Sequence, residues 1–221
     1  MKLKLSRSLR SLTHACAAAP FFCLGLAAAT AAAVAAGPAW LAAFPALCLL
    51  FVLYFFRDPW RETPEDAGVL YSSADGVVVK TGPVRHETLP GGKGQRVLIF
   101  MSPLDVHRNR APLAETVREV RAIAGRFVPA YREGMETVNE RVTVVFGRGK
   151  KTVVVTQIAG ILARRIVCRA QAGDRFGQGE EFGLIRFGSS NEILFPDEWE
   201  TVVAPGERVR AGLTVIARRK R

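Results

Sequence analysis

The order of apolar and polar positions divides the chain into two parts. Residues 13–36 carry no formally charged side chain apart from the titratable His14, and a second apolar stretch covers residues 39–56. Gly37-Pro38 lies between them and disfavours a continuous helix. The pattern therefore predicts two apolar helices in a hairpin. The first is long enough to cross a bilayer core, which needs about 20 helical residues, and the second, with Pro45 inside it, is marginal.

From Gly68 onward the pattern changes to short runs rich in Val and Ile, separated by Gly, Pro and Asp. Such runs are typical of strands, and they occur at residues 76–79, 96–100, 142–146 and 152–155. The sequence thus predicts a mainly β soluble domain, barrel-like or sandwich-like, after the apolar helices.

The sequence predicts the structure of some connections between these runs and leaves one segment open. Residues 146–150 form a hairpin turn between two strands, and residues 204–209 form a turn that leads into a last strand ending near Ala217. Residues 158–170 fit either a short helix or another strand, and the pattern leaves both open.

Charge places the chain at a membrane rather than on nucleic acid. Residues 1–56 hold four basic side chains (Lys2, Lys4, Arg7 and Arg10) and no acidic one, and the rest of the chain has 27 basic against 20 acidic residues. The basic residues form no long run and no interleaved aromatic pattern, so we expect no nucleic-acid partner. Basic residues flank the apolar region on both sides, with Arg57 and Arg61 after it, which predicts that both ends face the cytoplasm. A secretory signal peptide is the alternative, but it leaves the second apolar stretch unexplained.

Cysteines and histidines give little support to a disulfide framework or a metal site. Three of the four cysteines lie in the apolar region, and Cys168 is alone outside it. Of the three histidines, only His107 lies in a polar, proline-flanked segment, residues 102–112. A catalytic metal needs clustered ligands, so we expect none.

Three segments carry the candidate chemistry: Ser73-Ala74-Asp75-Gly76, the His107 segment, and residues 186–190 with Gly188-Ser189. In their order and spacing they resemble the motifs of phosphatidylserine decarboxylases. The short form of that family also begins with an apolar anchor followed by Phe-Arg-Asp-Pro, here residues 56–59. The resemblance covers most of residues 54–190, including the matching runs at 157–160 and 182–186.

Gly188-Ser189 suits self-cleavage on chemical grounds. A hydroxyl beside its own peptide carbonyl can attack it, and Gly188 has no side chain to hinder that attack. By resemblance, the anchor is residues 1–56 and the decarboxylase domain residues 57–221. The resemblance implies cleavage into a β chain, 1–188, and an α chain, 189–221, that begins with a pyruvoyl group made from Ser189.

The resemblance also assigns roles to individual side chains. The pyruvoyl carbonyl at residue 189 would form a Schiff base with the substrate amine, and His107 would return a proton after carbon dioxide leaves. Asp75 matches the aspartate that acts in self-cleavage. Longer bacterial relatives place a second histidine where this chain has Arg110, so either His107 serves both steps or Arg110 acts electrostatically.

The implied activity is conversion of phosphatidylserine to phosphatidylethanolamine at the cell membrane, with the catalytic domain facing the cytoplasm. An anionic membrane surface is the expected partner, and Arg110, Arg164 and Arg165 are candidates for binding the substrate phosphate or carboxylate. A homo-oligomer is left open. Two rivals remain: a membrane-anchored β-sandwich adaptor module without a cofactor, and an anchored zinc peptidase, which would need a His-x-His that this chain lacks.

Overall fold

The computed structural model describes residues 11–128, 134–160, 166–186 and 189–220. The predicted site residues Gly188, Arg164 and Arg165 therefore lie outside the described residues. Packing divides the chain into two compact units, Met1–Trp60 and Arg61–Arg221.

The first unit is helical. Its described residues form α1 (Ser11–Ala18), α2 (Pro20–Ala35) and α3 (Ala39–Phe55). Helices α2 and α3 pack against each other, and the break between them falls at Gly37-Pro38, as predicted. Proline at position 45 lies inside α3 without ending it. Many large apolar side chains of this unit are exposed, among them Phe21, Leu24, Trp40, Phe44 and Leu47.

The first apolar stretch is not one continuous helix, and in this the sequence prediction was wrong. Helices α1 and α2 meet at an angle of 99°. Pro20 begins α2, and because proline has no N–H to donate to the preceding turn, the helix breaks there. No single helix in the described part of the chain combines the length and apolar character that a membrane span requires, although the bent pair α1–α2 does so jointly.

The second unit is mainly β, as predicted. Its elements in chain order are β1 (Val69–Tyr71), β2 (Gly76–Arg85), β3 (Lys93–Met101), β4 (Arg108–Arg110), β5 (Glu115–Ile123), the short helix α4 (Met135–Val138), β6 (Arg141–Phe146), β7 (Val153–Ala159), β8 (Ile166–Cys168), β9 (Arg175–Phe176), β10 (Glu181–Ile185), β11 (Ser189–Phe195), β12 (Trp199–Thr201), β13 (Arg208–Val209) and β14 (Val215–Arg219).

These strands form one large sheet and two small ones. The large sheet has the order β13-β2-β3-β11-β7-β6-β5-β9, and the small sheets have the orders β1-β14-β12 and β4-β10-β8. Every strand pair is antiparallel. Strand β11 lies between β3 and β7 and is in continuous register with both.

A single hydrophobic core joins the large sheet to the small ones. One face of the large sheet contributes residues such as Ile99, Val155 and Ile193, and the small sheets contribute Phe182 and Ile216, all completely buried. Successive side chains of a strand point to opposite faces. Ser189 and Asn191, which alternate with Ser190 on β11, therefore point to the same face as Ile193, which is the core face.

Several local predictions can now be compared with the structure. The hairpin at residues 146–150 is confirmed, with Phe146 opposite Val153. Residues 158–170 include the end of β7 and all of β8, so their described ends are extended. The last predicted strand is two strands, β13 and β14, because Gly212, at a φ of +70°, lies in a turn between them.

Candidate functional site

Ser189 is the first residue of β11, and its position is fixed on both sides. It lies opposite Met101, the last residue of β3, and opposite Ala159, the last residue of β7. Its side chain is completely buried, and its hydroxyl donates to the sulfur of Met101 over 3.3 Å. A thioether is a weak acceptor, so this contact holds the hydroxyl without activating it.

The Asp75 segment enters the same end of the large sheet. Strand β2 begins at Gly76, as predicted, and runs beside β3 with Val77 opposite Phe100. Gly76 has a φ of +153°, and a Cβ there would lie 2.1 Å from the carbonyl oxygen of Phe100. Only glycine fits this close approach, which explains the glycine after Asp75.

Asp75 is buried and ion-paired. Arg61 donates to both of its carboxylate oxygens, over 2.5 and 2.7 Å, and the N–H of Ala211 donates to Oδ1 over 2.8 Å. The two side chains are only 6% and 11% exposed. Bidentate arginine pairing of this kind fixes the carboxylate in position.

The loop after β3 carries His107, which is 2% exposed. Its Nδ1 lies 3.0 Å from the carbonyl oxygen of Asp105. Because a carbonyl oxygen only accepts, Nδ1 carries a proton, and Nε2 is the ring atom that this hydrogen bond leaves available. The histidine's own carbonyl accepts from the N–H of Ile185 over 3.1 Å, which ties the loop to the strand that precedes Ser189.

Asp105 holds this loop in shape. Its carboxylate accepts from the Ser102 N–H over 2.9 Å and from Arg208 over 3.0 Å. Burial by itself would raise the pKa of Asp105, but the hydrogen bonds from Arg208 and Ser102 outweigh it, and the pKa is lowered overall. The side chain therefore stays ionised and clamps the turn that leads to His107.

The three predicted segments thus converge at one end of the large sheet. Two of them are linked directly by the N–H of Arg110, which donates to the carbonyl of Ser73 over 2.9 Å. The guanidinium of Arg110 donates from Nη1 to the carbonyl of Gly179 over 3.0 Å. The Arg110 backbone therefore joins two of the motifs, and its side chain contacts the turn before β10.

Sequence reasoning missed a set of buried polar residues beside Ser189. Asn109, Gln157 and Asn191 are all completely buried, and Gln157 donates to Asn109 Oδ1 over 2.8 Å. Two of them lie in motifs that the sequence had singled out. Amides inside otherwise apolar strands were the available signal, since such groups are seldom buried without a reason.

Arg108 was also missed. Its Nη1 lies 2.7 Å from each carboxylate oxygen of Glu181, and the arginine is 3% exposed. This ion pair joins β4 to β10 and neutralises a cation that would otherwise lie next to His107.

Taken together, the site offers a hydroxyl adjacent to its own peptide bond, an imidazole and a carboxylate fixed by an arginine, all shielded from water. A carbonyl group formed at residue 189 fits here, because the surrounding core face offers apolar side chains and neutral amides rather than an amine that would react with it.

Comparison with known proteins identifies one family. The model of one family, described as phosphatidylserine decarboxylase, matches residues 48–217. A phosphatidylserine decarboxylase proenzyme of Solibacter usitatus is 46% identical over 192 residues, which are 85% of this chain and 90% of the relative. The proenzymes of Chlorobium chlorochromatii and Symbiobacterium thermophilum are 41% and 44% identical, over 81% and 76% of this chain and 84% and 79% of the relatives.

Proposed function

The chain belongs to the phosphatidylserine decarboxylase family and is a decarboxylase of phosphatidylserine, and we propose that it works through a pyruvoyl group made from its own Ser189. The observation that carries this proposal is the position of Ser189: fully buried, directly after a glycine, at the end of the sheet where the Asp75 and His107 segments meet.

Self-cleavage starts with the Ser189 hydroxyl. Its oxygen attacks the carbonyl carbon of Gly188, the C–N bond breaks, and the hydroxyl proton passes to the freed nitrogen. Loss of the Cα proton then expels the residue 188 carboxylate. The remaining enamine tautomerises, and water replaces its nitrogen, which leaves as ammonia. The burial of Ser189 supports this order, because bulk water cannot compete with the hydroxyl for the first step.

Asp75 and His107 take separate roles. Asp75, held by Arg61 and the Ala211 N–H, provides a fixed negative charge. This charge stabilises the positive charge that develops on the nitrogen of residue 189 as it takes up the hydroxyl proton during cleavage. His107 holds a proton at Nε2 and returns it to the substrate carbon after decarboxylation. The pyruvoyl carbonyl supplies the electron sink that decarboxylation requires.

Membrane anchoring by the helical unit is a further part of the proposal. The exposed apolar side chains of α2 and α3 suit a lipid environment, and basic residues flank the apolar region on both sides, which favours a cytoplasmic position for the catalytic unit. A substrate that is itself a membrane lipid makes such an anchor useful, because the headgroup can reach Ser189 while the acyl chains remain in the bilayer.

The intact mass of the purified protein tests the proposal. Two chains are expected, 1–188 and 189–221, with the smaller lighter than a serine-started peptide by one ammonia and without a free amine. The Ser189→Ala variant should remain one chain and produce no phosphatidylethanolamine. An active wild-type protein with a single uncut chain would refute the pyruvoyl mechanism.

A further inference from the structure

Asn191 is the most unusual buried group in the part of the chain that the structure describes. It is completely buried, and neither its amide nitrogen nor its amide oxygen has a hydrogen-bond partner among the described residues. An amide left in this state costs roughly 1–3 kcal/mol. Such a cost persists in a fold when the group has a partner at another stage of the protein's activity.

The position of Asn191 indicates that stage. It lies two residues after Ser189 on β11 and points to the same core face. Its neighbours across the sheet are Ile99 on β3 and Gln157 on β7. Gln157 is anchored through its nitrogen to Asn109, and its Oε1 also has no partner among the described residues.

The spacing matches the substrate. Two residues of a strand cover about 7 Å, and a hydrogen bond covers about 2.9 Å. A serine headgroup attached through its nitrogen at residue 189 therefore extends far enough along the strand for its carboxylate to reach the amide of Asn191.

On this basis we propose that Asn191 donates a hydrogen bond from its side-chain amide to the carboxylate of phosphatidylserine and orients that carboxylate for departure. The inference rests on the proposed function, since it needs the substrate at residue 189.

The choice of a neutral amide has a chemical reason. The carboxylate loses its charge as it becomes carbon dioxide, so a cation at this place would stabilise the bound substrate more than the transition state and slow the reaction. A neutral donor orients the group without that penalty. Arg108 on β4, which adjoins the Asn109 that binds Gln157, is already paired with Glu181.

The test uses Asn191→Leu, which keeps the approximate volume and removes both polar atoms, with Asn191→Ala as a second variant. Asn139→Ala is the matched control. Asn139 is also completely buried, but its amide accepts from the Val128 N–H and donates to the carbonyls of Val128 and Ala159.

Three measurements are made. Intact mass shows whether each variant cleaves itself. Kinetics with phosphatidylserine vesicles give kcat/KM, and reduction with cyanoborohydride traps lipid on the small chain, using phosphatidylserine and phosphatidylethanolamine in parallel. Urea unfolding is followed in the uncut Ser189→Ala background, where folding stays unimolecular.

We expect both Asn191 variants to cleave normally and to lose about 10- to 100-fold in kcat/KM, the value of one hydrogen bond to a charged group. Trapping of phosphatidylserine should fall, whereas trapping of phosphatidylethanolamine, which has no carboxylate, should not change. The Leu variant should be at least as stable as its parent, and Asn139→Ala should be less stable with unchanged kcat/KM per cleaved molecule.

Three outcomes would overturn the inference. Equal losses with both lipids would mean that Asn191 does not bind the carboxylate. Loss of stability in Asn191→Leu without loss of kcat/KM would give it a structural role, such as holding a buried water. An Asn191 variant that remains uncut would place the residue in self-cleavage instead. If wild type itself remains uncut and active, the proposed function fails first, and intact mass separates that case from the others.

Discussion

The two faces of β11 bury polar groups of different kinds. Towards the core, Ser189 and Asn191 are neutral, and the amide of Asn191 has no partner among the described residues. On the opposite face, Glu192 belongs to an ion-pair cluster: its Oε1 lies 3.0 Å from Arg96 Nε, and Arg96 Nη1 lies 3.4 Å from Glu136. On one face, the strand therefore carries an amide without a hydrogen-bond partner among the described residues, and on the other it carries a carboxylate in an ion-pair cluster.

Under the proposed function, Ser189 and Asn191 serve the reaction, and the ion-pair cluster of Glu192 serves the fold. Paired charges have their partners within the protein. If one residue of such a pair is removed, the other is left as a buried charge without compensation. A buried neutral group without a hydrogen-bond partner in the protein can gain one only from a bound molecule such as the substrate. Changes on the core face should therefore affect catalysis more than stability, and changes to paired charges should do the reverse.

The largest expected effect is on the catalytic side. His107→Ala removes the proton donor, so we expect decarboxylation to fall by about 10²- to 10⁴-fold, the usual value of a general acid. Phosphatidylethanolamine production by the cleaved variant measures it. Turnover at the wild-type rate would make His107 structural, and a variant that does not cleave would mean that His107 serves both steps.

The paired charge of Asp75 should contribute to stability apart from its proposed role in cleavage. Arg61→Gln leaves the buried carboxylate of Asp75 without its bidentate partner, and we expect the free energy of unfolding to fall by about 3 kcal/mol in the uncut Ser189→Ala background. Adding Asp75→Asn should restore part of that loss, because the buried charge is then gone. Equal stability of the single variant and its parent would show that the pair contributes nothing.

The smallest effect is expected at Glu192, and it depends on pH. Burial raises the pKa of Glu192, Arg96 opposes the shift, and Glu136 adds to it. Because the folded pKa lies above the unfolded one, the favourable contribution is complete below the unfolded pKa and is lost as pH rises through the folded pKa.

Glu192→Gln removes this dependence. We expect the stability of the parent relative to the variant to decline with rising pH, as measured by urea unfolding across the acidic range, with decarboxylation unchanged. Parallel pH profiles would contradict the assignment, and so would a loss of activity comparable to that of the Asn191 variants.

Much of the fold was predictable because many of its strands are runs of β-branched residues. The β-branched runs at residues 142–146 and 152–155 became β6 and β7, and the apolar helices broke at Gly37-Pro38. Strand β11 was not predicted, since it begins with Ser-Ser-Asn-Glu and only its last residues are apolar. The bend at Pro20 was missed because the prediction used the apolar character of residues 13–36, which does not indicate whether the helix axis stays straight.

The candidate site was predictable where its residues lie in local motifs. Ser189, Asp75 and His107 came from short segments whose order could be read along the chain. The Arg61–Asp75 pair and the Gln157–Asn109 hydrogen bond could not be predicted, because each joins residues that only the sheet topology brings together. The role of Arg110 stays a prediction, and its contact with the carbonyl of Gly179 could not be read from the sequence either.

The location of β11 between β3 and β7 also bears on the lifetime of the enzyme. After the proposed cut, β11, β13 and β14 of the smaller chain remain hydrogen-bonded to strands of the larger chain, so cleavage does not release the smaller chain. Once such a two-chain molecule unfolds, however, its two chains must associate by diffusion. The covalent connection that held β11 close to β3 and β7 in the precursor is then absent. We therefore expect the uncut precursor to refold more efficiently than the cut protein, whose persistence would depend on slow unfolding.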